Sequence, residues 1–150
     1  MKRIKSFIKP FFLSVFLLAS GAAQADTISG IWSGTAIDIN PDEGYFDHGV
    51  NISIASSAQN GPNRSKWTYV PNPNLPETIC RSTLDFESVL GNVWTFNDLP
   101  DADSPCLSGG KVVLTYMPVG RGDTIFFQWL FSNGEVDTEG FIHRSQLQLP

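Results

Sequence analysis

Two apolar runs towards the C-terminal end, Lys111–Met117 (KVVLTYM) and Thr124–Phe131 (TIFFQWLF), admit few folds. Both are rich in β-branched and aromatic side chains, and turn residues bound each of them. They read as a hairpin around the six-residue connection Pro118–Asp123 (PVGRGD). Ser132-Asn133-Gly134 is a second short turn, leading to a third strand at Thr138–Arg144 (TEGFIHR). In the middle run Ile125, Phe127, Trp129 and Phe131 share one face. Phe126, Gln128 and Leu130 make the other face nearly as apolar, which predicts a central strand.

The same pattern holds upstream. Ser29–Asn40 alternates Gly30, Trp32, Gly34, Ala36 and Asp38 with Ile31, Ser33, Thr35, Ile37 and Ile39, a strand whose small residues permit bending or close approach. Gly49–Ser56 sets Val50, Ile52 and Ile54 against Asn51, Ser53 and Ala55, the signature of a half-buried strand. The turn cluster Ser57–Asn63 separates it from a strand at Ser65–Val70. Three prolines in Pro71–Pro76 (PNPNLP) exclude helix and central strand there.

The segment 77–90 has two readings. On a helix Ile79, Thr83, Phe86 and Leu90 would align, with Gly91-Asn92 as the stop. On a strand Leu84 and Phe86 would point inward, and the strand character of both flanks favours this alternative. Asn92–Asp98 is a further strand, and Leu99–Pro105 an acidic, proline-bounded loop. The strand candidates number eight, joined by Gly, Pro, Asn, Asp and Ser. The expected fold is all-β, a small antiparallel meander barrel of about eight strands, with a two-sheet β-sandwich as runner-up. Segments this short and proline-interrupted do not suit an outer-membrane barrel, whose strands need about nine to eleven residues and an apolar outer band.

The N-terminus sets the expected compartment. Lys2, Arg3, Lys5 and Lys9 precede an apolar core, Phe11–Leu18, and Ala23-Gln24-Ala25 follows as a small-x-small site. Residues 1–25 are expected to be a cleaved secretory signal peptide, leaving Asp26–Pro150 as one β-domain, periplasmic or secreted. The core is too short to span a bilayer, which takes about twenty apolar residues. Four of the ten basic residues leave with the leader, so six face fifteen acidic ones, a net charge of −9. Such a surface repels phosphate backbones and anionic lipid, so neither nucleic acid nor membrane insertion is expected of the mature chain, which reads as a monomer. Cys80 and Cys106 are the only cysteines, and in an exported chain two cysteines pair by default.

No sequence motif fixes a chemistry. The chain lacks G-x-S-x-G, CxxC, HExxH and P-loop patterns, and its two histidines are His48 and His143. A Ser/His/acid triad needs no local signature, so a hydrolase with a dispersed site stays open as the third reading. Asp38-x-Asn40-x-Asp42-x-Gly44 has calcium-loop spacing, but the twelfth position is Gly49 instead of a bidentate Glu, and a strand end entering an Asx-rich turn explains it. Asp98, Asp101 and Asp103 read as a solvated acidic loop. No cofactor or metal is expected. Trp67, Tyr69, Trp94, Tyr116 and Trp129 exceed what a barrel of this size needs to fill its centre, and they are the candidate ligand-binding residues.

Gly30-x-Trp32 on the first strand and Arg144 on the last resemble the lipocalin and calycin-like pattern. That resemblance implies a Trp plugging one end of the barrel and a late Arg packing across its ring. The chain also resembles small exported bacterial β-modules of unassigned activity. The matching residues are Trp32-x-Gly34-Thr35, Tyr69-x-Pro71, Cys80-x-Ser82-x-Leu84, Phe96-x-Asp98, Cys106-x-x-Gly109, Leu114, Trp129 and Gly140-x-x-x-Arg144, with Ser82 in place of Gly and Asp98 in place of Glu. These are framework residues, and they imply a fold, a disulfide and export but no activity. The function expected is that of an exported, non-catalytic binder of a small apolar or glycan ligand. The alternative is an interaction or inhibitor module presenting loops to a protein partner.

Overall fold

The computed structural model describes residues 28–39, 47–69, 78–119 and 122–145. The expected leader, the Pro71–Pro76 connector and most of the calcium-like stretch lie outside them. Eight strands follow in order: β1 (Gly30–Asp38), β2 (Asp47–Ile54), β3 (Asn63–Tyr69), β4 (Thr78–Leu90), β5 (Val93–Pro100), β6 (Lys111–Val119), β7 (Gly122–Leu130) and β8 (Val136–Arg144). Each pairs antiparallel with the next, and β1 pairs with β8, so the sheet closes as a meander barrel. This is the all-β architecture expected, consistent with a lipocalin or calycin-like fold. The sandwich reading ends with the β1–β8 pairing.

The period-2 alternation decides what faces inward. Trp32 and Ala36 on β1, Val50, Ile52 and Ile54 on β2, and Trp94 and Phe96 on β5 are buried. So are Val112 and Leu114 on β6, Ile125, Phe127 and Trp129 on β7, and Ile142 on β8. Each such Val, Leu, Ile or Phe side chain contributes roughly 1.5–3 kcal/mol by leaving water. The outer wall takes the intervening polar residues, among them Asn51, Ser53, Arg64 and Arg81. The inside is apolar, whereas the interior of a transmembrane barrel is polar. Among the described residues no helix is long and apolar enough to cross a membrane.

Residues 78–90 form one strand of 13 residues, so the helical alternative is discarded. Leu84 is buried and Phe86 packs against the core. A register shift between Phe86 and Ser88 marks a bulge, which curls the long strand around the closing sheet. Two boundaries differ from expectation. Backbone pairing extends β6 and β7 as far as Val119 and Gly122, so Pro118 and Asp123 belong to the hairpin instead of a six-residue loop. Strand β5 likewise runs two residues past its expected end at Asp98, to Pro100, and the Asp98 side chain is buried.

Antiparallel order sorts the connections between two ends. One end carries the β2–β3, β4–β5 and β6–β7 turns, the start of β1 and the finish of β8. The opposite end carries the β1–β2, β3–β4, β5–β6 and β7–β8 connections. A disulfide joins Cys80 on β4 to Cys106 in the β5–β6 connection, with Cα atoms 5.2 Å apart. Beside it the Arg81 N–H donates to Ser104 Oγ at 2.9 Å, and the Asp101 N–H donates to the Arg81 carbonyl at 2.9 Å. The connection is thereby held along β4, close to the inward residues of that strand.

Candidate functional site

The first end of the barrel is closed by a clamp. Trp32 and Arg144 are register partners across the β1–β8 seam, so barrel closure alone brings them together. The guanidinium carbon lies 4.3 Å from the indole centroid, within cation–π range. Arg144 Nε donates to Asp123 Oδ2 at 2.8 Å, and Nη1 donates to the Ser29 carbonyl. Trp32 Nε1 donates to the Ile28 carbonyl at 2.8 Å. Gly30 has φ of +122°, and a Cβ there would sit 2.7 Å from Arg144 Nη1, so glycine is needed on both counts.

Tyr116 belongs to this clamp. Its hydroxyl donates to Asp123 Oδ1 at 2.8 Å, and its ring meets Trp32 edge-on at 6.4 Å. The Tyr116 hydrogen bond and then Arg144 hold the Asp123 carboxyl below the usual carboxylate range. The same bond to Asp123 raises the Tyr116 phenol. Every polar group named here has a partner, and the arrangement is a plug.

The opposite end is different. Trp94, Phe96 and Asp98 alternate inward on β5, and Asp98 is only 2% exposed. Trp129 Nε1 donates to Asp98 Oδ2 at 2.8 Å. The approach depends on Gly110, because a Cβ at that position would run into the Trp129 ring. The Asp98 N–H in turn donates to the Gly110 carbonyl at 3.0 Å, fixing β5 against the start of β6. Ser82 and Ser65, both buried, bond each other through their hydroxyls at 3.0 Å on the neighbouring strands. Phe131 meets the Trp129 ring edge-on at 5.1 Å.

The Asp98 carboxyl is incompletely satisfied. Its Oδ1 is buried and has no hydrogen-bond partner among the described residues. Burial raises its pKa, and the nearby Ser82 hydroxyl and the Trp129 N–H oppose the rise only in part. The described ion pairs, Arg64–Asp101, Lys111–Glu87 and Arg144–Asp123, are all elsewhere. An unsatisfied buried acceptor costs roughly 1–3 kcal/mol, more when charged, and an apolar residue here would avoid that cost.

More carboxylates stand at the same end. Asp38, Thr138 and Trp129 are successive partners across β1, β8 and β7, and Asp38 and Thr138 are buried. The Thr138 hydroxyl donates to Asp137 Oδ2 at 3.0 Å. His48, at the start of β2, has its pKa lowered by burial, with Asp38, Asp137 and Asp47 acting in the opposite direction.

The five aromatics therefore divide. Trp129 lies at Asp98, Tyr116 joins the clamp at the other end, and Trp94 is buried in the core between them. The Trp94 indole N–H is buried without a partner among the described residues. Trp67 pairs in the backbone with Val50 and Cys80, and Tyr69 with His48 and Thr78. The acidic-loop expectation for Asp98 fails because β5 continues through it. The alternation of Trp94, Phe96 and Asp98 was the signal that could have placed it inward. Ser82 shares its face with Leu84 and Phe86, and Ser65 with Trp67, but two small hydroxyl residues on those faces do not announce the bond they make to each other.

His143 is exposed on the outer wall, with Nδ1 3.1 Å from the Thr124 hydroxyl. Among the described residues no group of three or more His, Cys, Asp or Glu side chains is placed to hold a metal ion. Comparison with known proteins finds no matching family model, no similar curated protein and no similar solved structure.

Proposed function

We propose that this is an exported binding protein of calycin-like build. It takes a small, largely apolar or glycan ligand at the barrel end where Asp98 and Trp129 meet. The observation that carries the reading is the contrast between the two ends. The Trp32, Tyr116, Asp123 and Arg144 groups of the first end pair with one another or with backbone carbonyls, whereas Asp98 at the other end keeps a buried carboxylate oxygen with no hydrogen-bond partner among the described residues. A ligand donor completing that site would recover free energy which the chain alone forgoes. The cystine fits an oxidising compartment, and it ties the β5–β6 connection beside the site to β4.

The test is titration of the purified mature chain with Nile red, a neutral apolar dye, followed by dye emission. One-to-one saturable binding is expected, weakened several-fold by Trp129→Phe and unchanged by Lys111→Ala on the outer wall. Absence of saturable emission, or indifference to Trp129→Phe, would overturn the reading.

The outer wall supports a second reading, an interaction module. Phe141 is 51% exposed and packs at 5.1 Å on Phe126 of the neighbouring strand, leaving apolar surface on β7–β8. On that reading Phe141→Ser abolishes association with a protein partner and leaves dye binding intact.

A further inference from the structure

We infer that the ligand of this end presents a protonated amine to Asp98 Oδ1, so that the site selects small organic ammonium compounds. This rests on the barrel-end reading above and adds the chemistry of the group recognised. Asp98 Oδ2 already receives the Trp129 indole N–H, the nearby Ser82 hydroxyl is engaged with Ser65, and Oδ1 is left without a hydrogen-bond partner among the described residues. None of the ion pairs among the described side chains involves it. Arg64, Lys111 and Arg144 are engaged with Asp101, Glu87 and Asp123, and Arg81 is exposed on the outer wall.

A sugar hydroxyl could donate to Oδ1 but would leave a buried charge without a countercharge. An ammonium supplies the donor and the opposite charge together, and hydrogen bonds between ionised groups are the stronger ones. The surroundings suit a cation. Trp129 and Phe131 present an aromatic pair beside the carboxylate, able to attract a cation over a ring face. Asp38 and Asp137 lie at the same barrel end, reached from Trp129 through Thr138. With a net charge of −9 after loss of the expected leader, the long-range field also draws cations in.

Isothermal titration of the mature, disulfide-intact chain with 2-phenylethylamine, with its neutral counterpart 2-phenylethanol and with Nile red tests this. The amine is expected to bind one-to-one at least tenfold tighter than the alcohol. In Asp98→Asn, which keeps the side-chain shape and an acceptor for Trp129, the two should bind equally. A thermal melt verifies that the variant is folded. Equal or tighter binding of the alcohol by the native chain, or a preference for amine that survives in Asp98→Asn, overturns the inference. Binding of Nile red without binding of the amine removes the inference and leaves the barrel-end reading standing. Failure of all three probes removes both.

Discussion

The guanidinium of Arg144 lies across the indole of Trp32, 4.3 Å from its centroid, at the seam where the last strand meets the first. One side chain thus joins β8 to β1, to Asp123 on β7 and to the Ser29 carbonyl. Because these contacts exist only in the closed barrel, they report directly on closure.

Arg144→Ala is expected to lower stability by roughly 2–4 kcal/mol in urea unfolding. It removes packing over the indole and the hydrogen bonds together, and it leaves Asp123 without its cation. Arg144→Lys should recover less than half of the loss, since an ammonium cannot cover the ring while donating in two directions. Salt at about 1 M should screen the partly exposed Arg144–Asp123 pair but not the packing over the indole, so it should reproduce only a small part of the loss. Equal stability of the alanine variant and the native chain would show that the clamp is dispensable.

The cystine makes a separate prediction. Cys80→Ala is expected to cost roughly 2–5 kcal/mol, as loss of a native disulfide from a small exported domain does. It also frees the β5–β6 connection, so protease cleavage near Asp101–Leu107 should accelerate before global unfolding. Two free thiols by mass spectrometry in freshly isolated protein would contradict the pairing.

Much of the barrel could be read from the sequence, because alternation is a local property. Val50, Ile52 and Ile54 lie inward as their spacing requires, and the Gly30-x-Trp32 and Arg144 positions meet across the seam. The strand at 78–90 was ambiguous for a physical reason: Ile79, Thr83, Phe86 and Leu90 satisfy a helical period as well, and the pairing that excludes helix comes from β3 and β5. The site was harder to see. Asp98 resembles Asp101 and Asp103 in sequence, and at the end of its expected strand it could face either way; its place on the inward face with Trp94 and Phe96 separates the buried carboxyl from the loop. Tyr116 and Trp129 are both inward aromatics on adjacent strands, yet one bonds Asp123 in the clamp and the other bonds Asp98 at the opposite end. That division depends on Asp123 and Asp98, which no spacing rule connects to them.

Gly110 tests how Trp129 is positioned. Gly110→Ala places a methyl where the indole now lies, so it should destabilise by about 1–3 kcal/mol and push the ring away from Asp98. Trp emission should shift to longer wavelength. A variant with native stability and emission would mean that Trp129 has room to spare.

The Asp98 carboxyl gives a pH prediction. Burial holds its folded pKa above the ordinary carboxylate value, so the folded state keeps a proton that the unfolded chain releases. The contribution is complete below the unfolded pKa of about 3.9 and is lost as pH rises through the folded one. Asp98→Asn has no such loss, so its stability relative to the native chain should be level below the unfolded pKa and improve as pH rises from there through the folded one. Urea unfolding of both proteins at each pH measures the difference, and a gap that stays flat would contradict the burial argument.

The central claim is that one end of the barrel is a plug and the other a binding site. Nitrogen-15 NMR of the indole N–H groups tests it most directly, because Trp32 and Trp129 donate at opposite ends. On titration with 2-phenylethylamine the Trp129 resonance is expected to move saturably while the Trp32 resonance stays in place. Movement of Trp32 without Trp129, or no movement of either at saturating amine, would contradict the account.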